Sequence, residues 1–392
     1  MKVKYCLFLI IVLSGCTSIP QYENIEKISI EKSLENNFSF LDSIEIVPFE
    51  TNDSVIIKSP QIFKYVPEKE LYLVKDNQPY IFLFDKVGRH ISNSSKVYGE
   101  GPHNYALASD VLYNPYSDLI EVYNPLDQGV LKCFDLNFNW VKDKKMNLGK
   151  DKIASSLSLL KDGLYAILPS IINEEHFHTE VSNLTKEPQL VKGEDNYLSN
   201  LNMGRFFFTH ISDTCFYYTP HYLNLYFYKY SPEENSVRPI IKIDIADEED
   251  IKKELNSNFG KANNKKSFNR LNNIRVIQDK EDYLLSSSYN LPIIRLISDK
   301  YVYVHFINKK EPYHLIYNRE THNSYYLTKQ SPIPFYKCFQ IVDRTLYALL
   351  YPYEIADYIN ENNMTYVTHE SQIKLLTIKE DDNPLIIKYQ LK

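Results

Sequence analysis

The feature that most constrains this chain is a repeated pair of short apolar runs. Glu70-Leu71-Tyr72-Leu73-Val74 is followed by Tyr80-Ile81-Phe82-Leu83-Phe84-Asp85. About fifty residues later, Asp118-Leu119-Ile120-Glu121-Val122-Tyr123 is followed by Val130-Leu131-Lys132-Cys133-Phe134-Asp135. In both copies the second run ends in Phe-Asp and meets a turn, Lys86-Val87-Gly88-Arg89 or Leu136-Asn137-Phe138-Asn139. Runs this short, bounded by turn residues and rich in aromatic and branched side chains, read as strands. Looser copies follow at 163–168, at 214–218 with 224–230, at 300–306 with 314–318, and at 345–350, which 373–378 would continue. Six such units, longer than familiar repeats because of insertions, predict an all-β fold: a six-bladed β-propeller with two short helical insertions. The runs at 44–49 and 384–389 would together complete the last blade and close the ring. A β-sandwich would explain strands but not the recurring strand-turn-strand unit.

Composition supports this and excludes other classes. A hydrophobic share of 44% is too high for a disordered chain, and 10 Gly are too few for a collagen-like one. A net charge of -6 argues against a nucleic-acid binder. The 33 Tyr and 20 Phe suit half-buried pleated surfaces, and most are expected to pack between blades.

The N-terminus reads as an export signal. Lys2 and Lys4 precede an apolar stretch at 5–13 that is too short to span a bilayer. Leu13-Ser14-Gly15-Cys16 has the pattern of a bacterial lipobox, which makes Cys16 the expected lipidation site. Residues 1–15 are thus read as the signal, 16–40 as a polar tether and 41–392 as the propeller. With Thr17 rather than Asp after the lipidated position, the outer membrane is favoured, on its periplasmic side or at the cell surface. Cys133, Cys215 and Cys338 each lie in an apolar or aromatic run and are expected as free thiols.

Two stretches depart from the strand pattern. In 247–255 acids fill the first turn and Ile251 and Leu255 share a face; in 353–360 Ile355 and Ile359 do the same. In a propeller, the loops leading from one blade to the next lie on the upper face. So do the loops between second and third strands. Insertions at 247–273 and 351–371 both belong there, as a binding rim or lid beside the channel mouth.

No serine-elbow, His-Glu-x-x-His or phosphate-loop motif occurs. His176-Phe177-His178 has Glu174 and Glu175 nearby, but a metal site would need a third or fourth ligand from elsewhere, and the segment reads as a polar loop in blade three. No catalytic residue, metal site or cofactor is therefore expected. The candidate ligand-binding residues are polar or aromatic groups near the upper loops and inner strands. Asp76 and Asn77, and Asn124 and Asp127, lie in the second-to-third-strand loops of blades one and two. Arg205 precedes the inner strand of blade four, His210 lies in it, and His221 and Tyr222 lie in that blade's corresponding loop. Aromatic faces with orienting hydrogen bonds suit a sugar or peptide.

Several segments resemble a known group, the six-bladed β-propeller lipoproteins of Bacteroidetes, TolB-like and of uncharacterised function. Val47-Pro48-Phe49-Glu50-Thr51 resembles the family's first strand, and 80–88 its Phe-Asp strand and turn. Tyr98-Gly99-Glu100-Gly101-Pro102-His103-Asn104-Tyr105 resembles its Gly-Pro loop, with Asn104 where an acid is usual. Asp382-Asn383-Pro384-Leu385 with Leu391-Lys392 resembles its C-terminal ending. The resemblance covers about 41–392 and implies fold rather than chemistry. The glycines of the loop are read as turn formers, Gly99 and Gly101 both permitting positive φ. The leading functional expectation is a lipid-anchored, non-catalytic module binding a glycan, a peptide or an envelope protein. Two other readings stay open: a glycan hydrolase or lyase acting at the channel mouth, and a structural subunit of an envelope complex.

Overall fold

The strands form six separate sheets arranged as the blades of a propeller. The computed structural model describes residues 25–127, 129–148, 154, 156–171, 177–185, 189–196, 208–220, 224–251, 253, 286–328, 331, 333, 335–355 and 364–392. Blade one runs outward in chain order through Pro60–Val66, Leu71–Asp76, Ile81–Asp85 and His90–Asn93. Blade two repeats this with Asp110–Asn114, Leu119–Tyr123, Val130–Phe134 and Trp140–Lys145. Blades three to five start at Ser156–Leu160, Phe208–Ser212 and Leu291–Ile297. Blade six joins the two ends of the chain. Cys338–Val342, Thr345–Leu350 and Leu385–Leu391 are completed by Leu41–Pro48, with Ile387 opposite Ile46. That is the expected closure.

Both faces of each blade are buried, so alternate residues of one strand serve different neighbours. Tyr72 and Val74 pack toward blade six, while Leu73 between them packs toward blade two. Six apolar clusters fill the six interfaces. Nine tyrosines, among them Tyr72, Tyr165, Tyr303 and Tyr389, are fully buried there. The tyrosine excess is therefore mostly a packing device.

Polar ties then lock the inner strands together around the channel. Asp110 accepts from Lys64 Nζ of blade one at 2.8 Å and from the Leu157 amide of blade three at 2.8 Å. Lys161 N donates to Asp213 O at 2.7 Å, and Thr219 Oγ1 to Arg295 O at 3.3 Å. The Cys338 amide donates to the Tyr303 hydroxyl at 3.0 Å. Gln340 closes the circle, accepting from Tyr65 N at 2.6 Å and donating to Tyr65 O at 3.0 Å. Each interface thus carries a hydrogen bond between an inner strand, or the turn at its end, and the neighbouring blade, which an open sheet could not provide.

The recurring Phe-Asp ending has a physical cause. Phe84 and Phe134 are fully buried. Asp85 accepts from the Val87 and Arg89 amides, and Asp135 from the Asn137 and Asn139 amides, at 2.8–3.0 Å. Burial acts to raise both carboxyl pKa values, but the donated hydrogen bonds outweigh it and hold them below the ordinary range. The third residue after each Asp has positive φ, +87° at Gly88 and 55° at Phe138. At Gly88 a Cβ would also lie 1.9 Å from the Pro48 carbonyl oxygen of blade six. Gly88→Ala is therefore expected to cost at least ~2 kcal/mol, from left-handed strain plus the clash; urea unfolding of wild type and variant would measure it.

Four expectations are corrected. Residues 26–40, expected within the tether, belong to the propeller. Glu26–Ser29 adds in parallel to the outer strand Ser236–Asp244 of blade four, and Leu34–Glu35 to Asn323–Leu327 of blade five. Phe38 and Phe40, 7% and 3% exposed, sit in the core between blades five and six. The run at 373–378 is not a strand: His369–Leu375 is a helix capped by Thr368, with Ser371 and Leu375 buried one turn apart. The polar-loop reading of 176–178 also changes, because strand Phe177–Asn183 begins within it; His176 lies outside the described residues. Gly99 has φ +133°, but Gly101 does not have positive φ; there a Cβ would meet Asn104 at 3.0 Å, so space is what requires glycine. The three thiols are free as expected, and burial raises Cys133 to about 11.

Candidate functional site

Strand order places the described residues of the loops after the second strands, 77–80, 124–127, 351–355 and 364–384, on one face, together with those of the blade-to-blade connections 49–59, 94–109, 245–251 and 286–290. Of the two expected insertions, 252, 254–273 and 356–363 lie outside the described residues. Residues 248–251 are helical, as expected, and 351–384 holds the helix His369–Leu375.

At the mouth beside blades one and six, loop chemistry has divided the polar residues into two groups. Asp76 is fully buried and accepts from Ser59 N at 2.6 Å and Lys58 N at 3.2 Å, so its carboxylate fixes the loop from blade six to blade one. Asn124 is 2% exposed and its Nδ2 donates to Asp127 at 3.0 Å, closing the 3-10 turn Pro125–Asp127. Asn77, in contrast, is exposed; it accepts from Gln61 Nε2 at 2.9 Å, and Gln61 Oε1 in turn accepts from Lys75 Nζ at 2.7 Å.

The same face carries an aromatic pair. Tyr351 and Tyr353 stack with centroids 5.4 Å apart and an interplanar angle of 16°. Tyr353 is 67% exposed. The turn that presents them, Pro352–Glu354, starts with proline, and Tyr351 N donates to Glu354 Oε2 at 2.8 Å. Burial raises the Tyr351 phenol, and Tyr353, Glu354 and Asp76 add to the shift, which sets Asp76 within electrostatic reach of the pair. Among the described residues, then, this face offers a turn-fixed aromatic pair, and the exposed Asn77 amide in the loop that follows Asp76; the Lys75 ammonium beneath is buried.

Of the expected ligand-binding residues, Asp76 and Asn77 come together at this mouth, whereas Asn124 and Asp127 bond to each other in blade two. His210 lies exposed on the inner strand of blade four, opposite Phe216. Arg205, His221, Tyr222 and Cys16 lie outside the described residues. Tyr351, Gln61 and Lys75 were not expected. The one signal for Tyr351 and Tyr353 is Tyr-Pro-Tyr directly after a strand, where a proline-initiated turn sets two rings side by side. Among the described residues, no three His, Cys, Asp or Glu side chains are grouped to hold a metal.

The Gly-Pro loop belongs to the connection from blade one to blade two, on this same face. Lys132 of blade two donates to Pro102 O at 2.9 Å, and the buried Tyr105 hydroxyl to Pro79 O at 2.8 Å. It fastens blade one to blade two through the third strand of one and the second-to-third-strand loop of the other, as a turn former should.

Ring, strand order and elaborated upper face define a six-bladed β-propeller. The chain belongs to the family described as a domain of unknown function (DUF4934), whose model matches residues 23–390. No curated protein matches it. Its fold is similar to that of a Bacteroides fragilis protein whose name describes it as exported, at 15% identity and TM-score 0.66, covering 93% of this chain and 99% of that one. It is more distantly similar to the propeller domain of Cps50 (Swd1) from Myceliophteria thermophila, at 7% identity and TM-score 0.44, covering 86% of this chain and 99% of that one.

Proposed function

We propose that this protein is an exported, lipid-anchored binding module of the Bacteroidetes TolB-like propeller lipoproteins, acting without catalysis through the mouth of its upper face. The observation that carries this is the turn-fixed Tyr351–Tyr353 stack, with Tyr353 67% exposed and Asp76 within electrostatic reach of Tyr351. Flat apolar faces next to orienting hydrogen-bonding groups suit a sugar ring or a peptide. The mouth carboxylate at Asp76 is buried and receives two amides, which fits a structural rather than a proton-transferring role. The lipobox and the exported Bacteroides protein of similar fold support lipid attachment at Cys16 and an outer-membrane location.

The test is a glycan and peptide array probed with the soluble form from Glu23 onward. Tyr353→Ala should lower the affinity of the captured ligand at least ~10-fold, about 1.4 kcal/mol, with an unchanged unfolding midpoint. Turnover of a glycan on the panel that is lost with mouth substitutions would sink the non-catalytic reading. Anchoring is checked separately: Cys16→Ala should abolish fatty-acid labelling and release the protein from the membrane fraction.

A further inference from the structure

The outer edges of the blades differ. Outer strands are the natural weak point of a propeller, because each presents unpaired backbone groups to solvent. In blades four, five and six those groups are taken up from within the chain, each time in parallel. Glu26–Ser29 runs beside Ser236–Asp244 with Glu26 opposite Ile241. Leu34–Glu35 runs beside Asn323–Leu327, and Val367 bridges Ile44. In blade one the outer strand is short, His90–Asn93, and Glu50 accepts from its His90 amide at 2.9 Å.

Among the described residues, Gln189–Asn196 ends the sheet of blade three with no further segment beside it, and the same holds for blade two. Its outer strand Trp140–Lys145 ends its sheet, and five of its six residues are exposed. Trp140 and Val141 are 37% and 46% exposed. Trp140 is held in place: the His103 ring stacks on it at 3.8 Å, and its Nε1 donates to Asp143 at 2.9 Å. The charges are uneven. Asp143 is neutralised by Lys132 at 2.9 Å and Lys144 by Glu121 at 3.1 Å. Lys142 and Lys145 have no ion pair among the described residues. Among the described residues the result is an open strand edge bearing two unpaired cations, on a chain of net charge -6.

We propose that the outer edge of Trp140–Lys145 is a strand-addition site for an extended acidic segment of a partner protein, taken up in parallel as blades four to six take up their own fifth segments. Backbone ladder bonds would supply the affinity, and Lys142 and Lys145 the selection for acidic side chains. The same lysines disfavour a second copy of this edge, since pairing it with itself would set like charges side by side. This surface is separate from the channel mouth, and the proposal does not depend on the mouth's ligand.

The experiment titrates the soluble protein with fluorescent heptapeptides and reads anisotropy. The probes are an alternating Glu/Val peptide, its Lys/Val counterpart, and the Glu/Val peptide N-methylated at alternate residues so that it cannot complete a ladder. The Glu/Val peptide is expected to bind at least ~10-fold more tightly than either of the others, and a Lys142→Glu, Lys145→Glu double variant should lose at least ~10-fold. Both positions are exposed, and an unchanged unfolding midpoint would verify that the variant is folded. The proposal is overturned if the N-methylated peptide binds equally well, if acidic and basic peptides bind alike, if no Glu/Val binding is seen, or if the double variant retains full affinity. It is also overturned if light scattering shows a dimer that the double variant abolishes, which would assign the edge to a second copy.

Discussion

Phe40→Ala is expected to destabilise the protein by about 3–5 kcal/mol, the usual cost of emptying a buried phenylalanine site. Phe40 is 3% exposed and packs against Phe38, Tyr325 and Phe335, with centroids 6.0, 5.0 and 6.4 Å away. Its carbonyl accepts from the last residue, Lys392 N, at 3.0 Å. It therefore joins three parts of the sequence: the N-terminal strap, blade five and the C-terminal strand of blade six. With roughly 2.1 cal/mol/K of unfolding entropy per residue, this cost corresponds to a melting temperature about 4–6 °C lower. Leu34→Ala, on the same strap but 47% exposed, should stay within about 0.5 kcal/mol. Differential scanning calorimetry of both variants checks the pair. If Phe40→Ala melted like Leu34→Ala, residues 36–40 would not be part of the folded core. Loosening the strap also uncovers the outer edges of blades four and five, so the variant should aggregate more readily on heating.

The strap shows where the sequence was readable and where it was not. Strands whose two faces are both buried read as continuous apolar runs, which is why 71–74, 81–84, 119–123 and 130–134 stood out and gave the repeat. The strap carries only isolated anchors, Ile28, Phe38 and Phe40, among polar residues, and its parallel pairing depends on outer strands that follow some 200 to 300 residues later in sequence. No local pattern encodes that. The helix His369–Leu375 was missed for a related reason: Ile373, Leu375, Leu376 and Ile378 suggest a strand by composition, but burial falls on Ser371 and Leu375, at helical spacing. Half of the mouth was legible. Topology alone put Asp76 and Asn77 there, but not that Asp76 would be consumed by the Lys58 and Ser59 amides. That depends on how the loop from blade six arrives.

Acid should unfold the protein well before its carboxylates titrate, because of a histidine pair in blade five. His305 and His314 face each other across adjacent strands, 5% exposed each, with ring centroids 5.0 Å apart. His314 Nδ1 is bonded to the Tyr303 hydroxyl at 2.9 Å, while His305 Nδ1 has no hydrogen-bond partner among the described residues. Burial, reinforced by the nearby Lys337 ammonium, lowers the His305 pKa to about 4. Burial, reinforced by His305, holds His314 well below its usual value. Above about pH 6.5 the pair is neutral both folded and unfolded and contributes no pH dependence. Below it the unfolded chain takes up protons that the fold refuses, so stability falls as pH falls. While both rings stay neutral in the fold, the slope approaches about 2.7 kcal/mol per pH unit, against a total stability of order 5–15 kcal/mol. Asp85 and Asp135 also lose native hydrogen bonds on protonation, but only as pH drops below their unfolded pKa near 3.8, so the two effects separate. Urea unfolding from pH 7 to 4 should show a midpoint that falls below about pH 6.5 and flattens towards pH 4 as His305 takes up its proton in the fold. His305→Phe should flatten the fall by about half, since it removes one titrating group and leaves no hydrogen-bonding ring atom unpaired at Nδ1. An unchanged slope in that variant would mean that the acid sensitivity lies elsewhere.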